Sequence, residues 1–429
     1  MSDAGDAHLP LNLHTFALER YFARFEHNPI IKHHACSSDS EPLSMSELLH
    51  QYFDDDSRHR WDTLDLSYTE APGLHSLRQE VVKKFYTTIN ADQHILIAAP
   101  QEVIFLAMRS LVQPGDTIVC MHPAYQSLYE VAASAGATVQ LWHCKTDHDD
   151  ASNVYFDVDD LRSLVSQKPV KVVVVNVPGH NPTGWLPTRQ EWTEIRDICA
   201  SSSYPSGGAY LFSDEMYRGL ELHPEEDSLV PGVDLMAPGR GISLGGMSKA
   251  VGLPGLRIGW LATSDATLLK TASSLKDYTT ICNSAPSEIL ALGGVRQWDQ
   301  IVAERQMTII RHNLQVLDEY VNGKWKGIVQ WKGPKAGSVG WAVIPLVNGW
   351  NIEKMTEVIA EQVGVMLLPE TVYYTSTGNG SDSDSDMAVL EKQSKGRVRI
   401  GYARKGLPAA LEALHLAFTK LGIITTGST

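Results

Sequence analysis

Four short stretches carry side chains able to do chemistry on a small molecule. They are Asn181-Pro182-Thr183-Gly184, Ser213-Asp214-Glu215-Met216-Tyr217, Ser248-Lys249 with Gly252-Leu253-Pro254-Gly255-Leu256-Arg257 beyond it, and Arg399-Ile400-Gly401-Tyr402. A lysine amine can form a reversible imine with a carbonyl and afterwards move protons. Lys249 sits among glycines, and taken alone it reads better as a loop lysine. Asp214 follows the apolar run Tyr210-Leu211-Phe212. That places it at the C-terminal end of a strand, where open α/β sheets gather their ligands; a turn or cap residue is the plainer alternative. Arg399 offers a planar guanidinium that fits a carboxylate as a fork. Arg397 and Arg404 compete with it by composition, and strand alternation puts Arg397 and Arg399 on one face.

Other motifs carry less. Gly241-Ile242-Ser243-Leu244-Gly245 has the form of the hydrolase nucleophile elbow, which requires a helix directly after the serine. Gly245, Gly246, Gly252, Pro254 and Gly255 oppose such a helix, so a glycine-rich strand end is the better reading. No P-loop or G-x-G-x-x-G sequence is present, and the sixteen histidines show no ligand spacing, so no metal site is expected.

The elements that must hold these residues alternate. Ile95-Leu96-Ile97, Thr117 to Cys120, Thr138 to Trp142, Val170 to Val177 and Tyr210 to Phe212 read as strands. Helical apolar spacing fills Gln101 to Val112, Ala124 to Ala135 and Arg189 to Ala200. The pattern predicts an α/β fold, a mostly parallel sheet sandwiched by helices. A long helix from about Asp299 to Val321 leads to Ser338–Pro345 and Arg397–Tyr402, strands of a smaller α+β domain shared with the N-terminal segment. The expected division is an N-terminal arm over residues 1–45, a large domain over 46–305 and a small one over 306–429. Residues 375–386, rich in Ser, Gly and Asp, read as a mobile surface loop. A net charge of −14 argues against nucleic acid and anionic membrane as partners. Five scattered cysteines, a polar start and the lack of a long apolar run lead to the expectation of a cytoplasmic protein.

In their order and spacing the four stretches resemble the class I/II aminotransferases, fold-type-I enzymes that use pyridoxal phosphate (PLP), from about Tyr68 to Tyr402. The resemblance implies that Lys249 carries PLP as a Schiff base and that Asp214 keeps the ring nitrogen protonated. It gives Asn181 and Tyr217 the cofactor's phenolic oxygen, Tyr125 a place stacked on the ring, and Lys249, Asp214 and Tyr217 the catalytic work. It puts the phosphate at the helix start Ala99-Pro100-Gln101, with Ser248 and Arg257 as added donors. Tyr68 matches a tyrosine that reaches the neighbouring subunit's site, so a homodimer is expected. Arg399, with Asn181, would hold the substrate carboxylate. Asp39 lies in a segment that covers the substrate in the family, and it could meet a cationic side chain.

The chain departs from the family pattern in two places. Gly246 stands where a phosphate-binding serine is common, and Ala99-Pro100 replaces a glycine and a hydroxyl residue, with no N–H from the proline. Gln101 or Ser243 is expected to compensate. The implied reaction moves an α-amino group from an amino acid to a keto acid. A β- or γ-eliminating lyase or a cyclase is the alternative, because the bond that breaks depends on which one stands perpendicular to the ring. A non-catalytic PLP-binding regulatory module is a third reading, and the acidic N-terminus lacks the basic helical pair such modules use on DNA.

Overall fold

A computed structural model describes residues 10–205, 207–374 and 396–424. Residues 375–386, expected to be a loop, lie outside the described residues. The central sheet has seven strands: β1 (Ile95–Ala98), β2 (Thr117–His122), β3 (Thr138–His143), β4 (Val170–Asn176), β5 (Tyr210–Asp214), β6 (Gly241–Gly246) and β7 (Gly259–Thr263). Their order is β1-β7-β6-β5-β4-β2-β3, and β7 alone runs against its neighbours. Strands covered on both faces can be apolar throughout, and β1, β2 and β6 are buried at every residue. The edge strand β3 is mostly half-exposed, as an edge must be.

Helices α1 (Ala17–Phe25), α2 (Pro100–Leu111) and α3 (Arg189–Ser201) precede a continuous helical stretch whose first part, Asp299–Gln306, is wider and π-type. Its second part is α4 (Met307–Asn322). Beyond it a four-stranded antiparallel sheet takes the order β8-β9-β11-β10, from β8 (Gln330–Trp331), β9 (Val339–Val343), β10 (Leu368–Pro369) and β11 (Arg397–Gly401).

The N-terminal segment packs beside this second sheet and forms a separate two-stranded one. His33–His34 pairs in parallel with Val365–Met366, and Leu18 and Phe25 of α1 share an apolar cluster with Met366, Leu368 and Tyr373. The chain then runs from Ala35 to Glu41 along β11: the Gly401 N–H donates to the Ala35 carbonyl at 2.8 Å, and the Glu41 N–H to Ala403 at 2.8 Å. The approach is so close that a Cβ at Gly401 would lie 1.9 Å from the Ser37 carbonyl oxygen. Only glycine fits there. The same segment reaches the large sheet's side, since the Ser40 N–H donates to the Lys249 carbonyl at 3.1 Å. Among the described residues no helix is long and apolar enough to cross a membrane.

Candidate active site

The parallel strands β4, β5 and β6 end together. Asn176 and Asp214 are register partners across β4 and β5, and Asp214 pairs with Leu244 of β6. Loops leaving these strand ends supply Asn181, Tyr217 and Lys249, and Arg399 comes from β11. All of them line one cavity of about 490 Å³, as the switch-point rule for such sheets predicts.

Two neighbouring carboxylates show how the site is charged. Glu215 turns inward, accepting from the Gly232 N–H and the Ser243 hydroxyl at 2.7 Å each and pairing with Arg218 at 2.8 Å. Asp214 faces the cavity with a single donor, the Met216 N–H at 3.2 Å, and no ion pair among the described residues. Burial lifts its pKa to about 7. Burial likewise lowers the pKa of the Lys249 amine, which donates to Ser38 Oγ at 2.8 Å. Burial holds the Tyr217 phenol well above its ordinary value.

Arg399 is almost fully buried. Its Nε and Nη2 donate to the Cys36 carbonyl at 3.0 and 2.6 Å, and Nη1 donates to Asn181 Oδ1 at 3.0 Å and to the Tyr373 hydroxyl at 2.8 Å. A carboxylate gripped as a fork therefore takes the remaining Nη2 hydrogen and displaces one acceptor from Nη1. The competitors are occupied. Arg397 pairs with the buried Glu370 at 3.1 Å, and Arg404 with Asp39 at 2.6 Å.

Other expected residues are placed unevenly. Pro100, Gln101, Ser248 and Arg257 line the cavity, while Ala99 lines a neighbouring one and its carbonyl accepts the Val103 N–H. Tyr125 reaches the cavity and donates its hydroxyl to Glu19 at 2.8 Å. Arg257 is exposed, with φ of 55°, a left-handed conformation uncommon for a non-glycine residue. Tyr68 is 87% exposed and takes no part in the cavity. Asp39 lines the cavity but is bound to Arg404, so it is not free for a cationic side chain. Ser243 cannot compensate at the phosphate site, because it is fully buried and bonded to Glu215 and to the Val233 N–H.

The two departures prove to be one packing event. A Cβ at Gly246 would lie 3.0 Å from Pro100 Cγ and 3.0 Å from Met216 Sδ. The proline ring fills the space a side chain at 246 would occupy.

Sequence reasoning missed several cavity and support residues. Asn176 accepts the Asn181 N–H at 2.7 Å and donates to the Asp214 carbonyl at 2.9 Å, fixing one functional loop to another strand's end. An asparagine closing a valine strand was the available signal. Nothing local marked Ser38, Tyr373, Glu19 or Phe22, which come from distant segments.

The pattern of the family described as aminotransferase class I and II matches residues 62–414. The chain belongs to that family. It is 31% identical over 272 residues to a capreomycidine synthase of Streptomyces vinaceus, covering 63% of this chain and 65% of the relative. It is 25% identical over 235 residues to an aspartate aminotransferase of Thermotoga maritima, covering 53% and 58%. The matched stretches thus span under two thirds of these relatives. Among solved structures, a PLP-dependent cyclase, OrfR, superimposes with a TM-score of 0.77 at 25% identity, covering 95% of this chain and 97% of the other. A PLP-dependent aminotransferase of Streptococcus suis gives 0.79 at 24%, covering 95% and 98%, and shows the fold.

Members of the family use PLP, and the residues present fit it. Among the described residues the buried Ser248 hydroxyl has no partner and Asp214 no counter-ion within bonding reach, and burial lowers the pKa of the Lys249 amine.

Two outcomes follow. Gly246→Ser alone should destabilise the protein by about 1–3 kcal/mol through overpacking. Pro100→Ser made with it should restore much of that loss in denaturant melts, and strictly additive effects would refute the shared contact. Asp214 has its pKa raised in the fold, so its contribution is complete below about pH 4 and declines as pH rises towards 7. Melts of the cofactor-free protein should therefore coincide for wild type and Asp214→Asn at about pH 4. By about pH 8 the variant should be the more stable, by roughly 1.4 kcal/mol for each tenfold rise in the carboxylate's proton affinity on folding. A gap that does not change with pH would contradict the burial argument.

Proposed function

We propose that the protein is a PLP-dependent enzyme that removes the α-proton of an amino acid and transfers its amino group to a keto acid. The observation that carries this reading is one cavity shared by an amine with depressed basicity, an unpaired buried carboxylate and a buried guanidinium. PLP, when bound, supplies an electron sink for the pair left by the departing proton. The chain's own residues supply the rest. Arg399 takes the substrate carboxylate and fixes the α-carbon. Lys249 Nζ, made more readily neutral by burial, accepts the α-proton, and Ser38 Oγ keeps that amine aimed. Asp214 holds a proton on the ring nitrogen, a charged partner that would draw its own pKa back down. Asn181 and Tyr217, which line the same cavity, would hold the cofactor's phenolic oxygen. Ser248, Arg257 and the backbone N–H of Gln101 at the start of α2 would hold the phosphate. Helix α1 lies along the cavity with Leu18 and Phe22 and keeps water out.

The reading includes a homodimer and the division into a large and a small domain at about residue 305. Tyr68 is 87% exposed, and the Thr69 hydroxyl beside it donates to the Asn283 carbonyl, close in sequence to Tyr278, itself 89% exposed. A second copy would cover these exposed aromatic side chains.

Ring formation is the second reading, favoured by the likeness to a capreomycidine synthase and to a PLP-dependent cyclase. The two differ in their need for an acceptor. With the right amino acid and no keto acid, amino transfer should stop after one equivalent, and the cofactor absorbance should recover when a keto acid is added. Many turnovers without acceptor would overturn amino transfer and favour the cyclase. Under either reading Arg399→Lys should raise KM at least roughly tenfold, since a point charge replaces the fork.

A further inference from the structure

The cavity's charges do not balance once the parts just assigned are set aside. Arg257 is matched to phosphate, Arg399 to the substrate carboxylate, Asp214 to the ring nitrogen, and Arg404 is neutralised by Asp39 at 2.6 Å. Two lining carboxylates are left, Glu19 and Glu26. Among the described residues Glu19 has no ion pair and only the Tyr125 hydroxyl at one oxygen. Glu26 meets only the exposed His27, at 3.9 Å.

Both stand on α1 with Phe22 between them, at helical spacing that turns Glu19, Phe22 and Glu26 to the same side. Glu26 is also the C-cap of that helix, where the macrodipole disfavours a carboxylate and favours a cation. The Phe22 ring between them already lies under the Arg399 guanidinium, 5.8 Å from its centre, so the two unpaired acids themselves form the wall suited to a positive group. That this cavity takes a ligand stands on other ground, the buried Ser248 hydroxyl with no partner among the described residues.

We propose that the substrate is an amino acid whose side chain ends in a guanidinium or ammonium group, received by Glu19 and Glu26. The inference rests on the reading of the cavity as a PLP-dependent amino-acid site and adds the substrate class. With the substrate carboxylate at Arg399, its side chain reaches these two carboxylates, which no described Lys or Arg pairs, Arg24 of the same helix being turned to Glu357 at 2.6 Å. Acidic substrates are disfavoured because Arg404 is already tied to Asp39.

The test uses the cofactor-loaded protein and five amino acids: arginine, citrulline, lysine, norleucine and glutamate. Equilibrium titration of the cofactor absorbance and kcat/KM are both read, the first at low and high salt. Arginine should exceed citrulline, or lysine norleucine, by at least about tenfold, with the margin shrinking in salt. Glu19→Gln keeps an acceptor for Tyr125 while removing the charge. In the Glu19→Gln/Glu26→Gln double variant the cationic-to-neutral ratio should collapse towards one, and Glu26→Lys should shift preference towards glutamate. The inference is overturned if the neutral isosteres serve the wild type equally well, or if the ratio survives in the double variant. Should a neutral or acidic amino acid react best, this inference falls and the functional reading stands. If no amino acid perturbs the absorbance, both fall together.

Discussion

Lys249 and Asp214 are held away from water in one cavity, and neither has a close counter-ion among the described residues. Burial pushes the carboxyl up to about 7 and pulls the amine down. An ionisable group removed from water without a partner is a standing cost to the fold. Glu215, next in sequence to Asp214, shows the ordinary remedy, an ion pair with Arg218 and two donors. The fold tolerates the unpaired groups because the strands beneath them are buried along nearly their whole length, and a ligand with a cationic ring nitrogen and a carbonyl removes both penalties at once.

The thread Ala35–Glu41 ties the parts of the site together. Its Cys36 carbonyl fixes Arg399, its Ser38 hydroxyl meets Lys249, its Asp39 neutralises Arg404, and Ser40 bonds the Lys249 backbone. The Ser338 hydroxyl pins the Ser38 carbonyl at 2.5 Å, and Gly401 leaves the room in which the thread passes. Arg399 and Lys249 are thus referenced to the same seven residues. A small displacement of the thread would alter both.

Much of this was legible in the chain. The valine run became β4, buried except at half-exposed Lys171, whose amine reaches out to Asp116 at 2.7 Å. Asp214 was identifiable from its place at a strand end, and Lys249 from the order of the four stretches rather than from its glycine-rich loop alone. Choosing between Arg397 and Arg399 was beyond strand periodicity, which puts both on one face; Glu370, far away in sequence, takes Arg397. Ser243 invited a role by its motif, but its hydroxyl is used inside the fold by Glu215. Helix α1 and Tyr373 were invisible as site residues, since their contribution depends on chain segments more than a hundred residues away. The substitutions Ala99-Pro100 and Gly246 looked like two losses of phosphate grip. In three dimensions they are one contact, and Gln101, Ser248 and Arg257 line the cavity beside it.

The account turns on Lys249 as the amine that carries the cofactor. The direct measurement is borohydride reduction of the cofactor-loaded protein followed by mass mapping of its peptides. The account predicts one pyridoxyl group per chain, on the peptide that contains Lys249, and none in Lys249→Ala. A reduced cofactor found on another lysine, or a Lys249→Ala protein that still turns over amino acids at the wild-type rate, would contradict it.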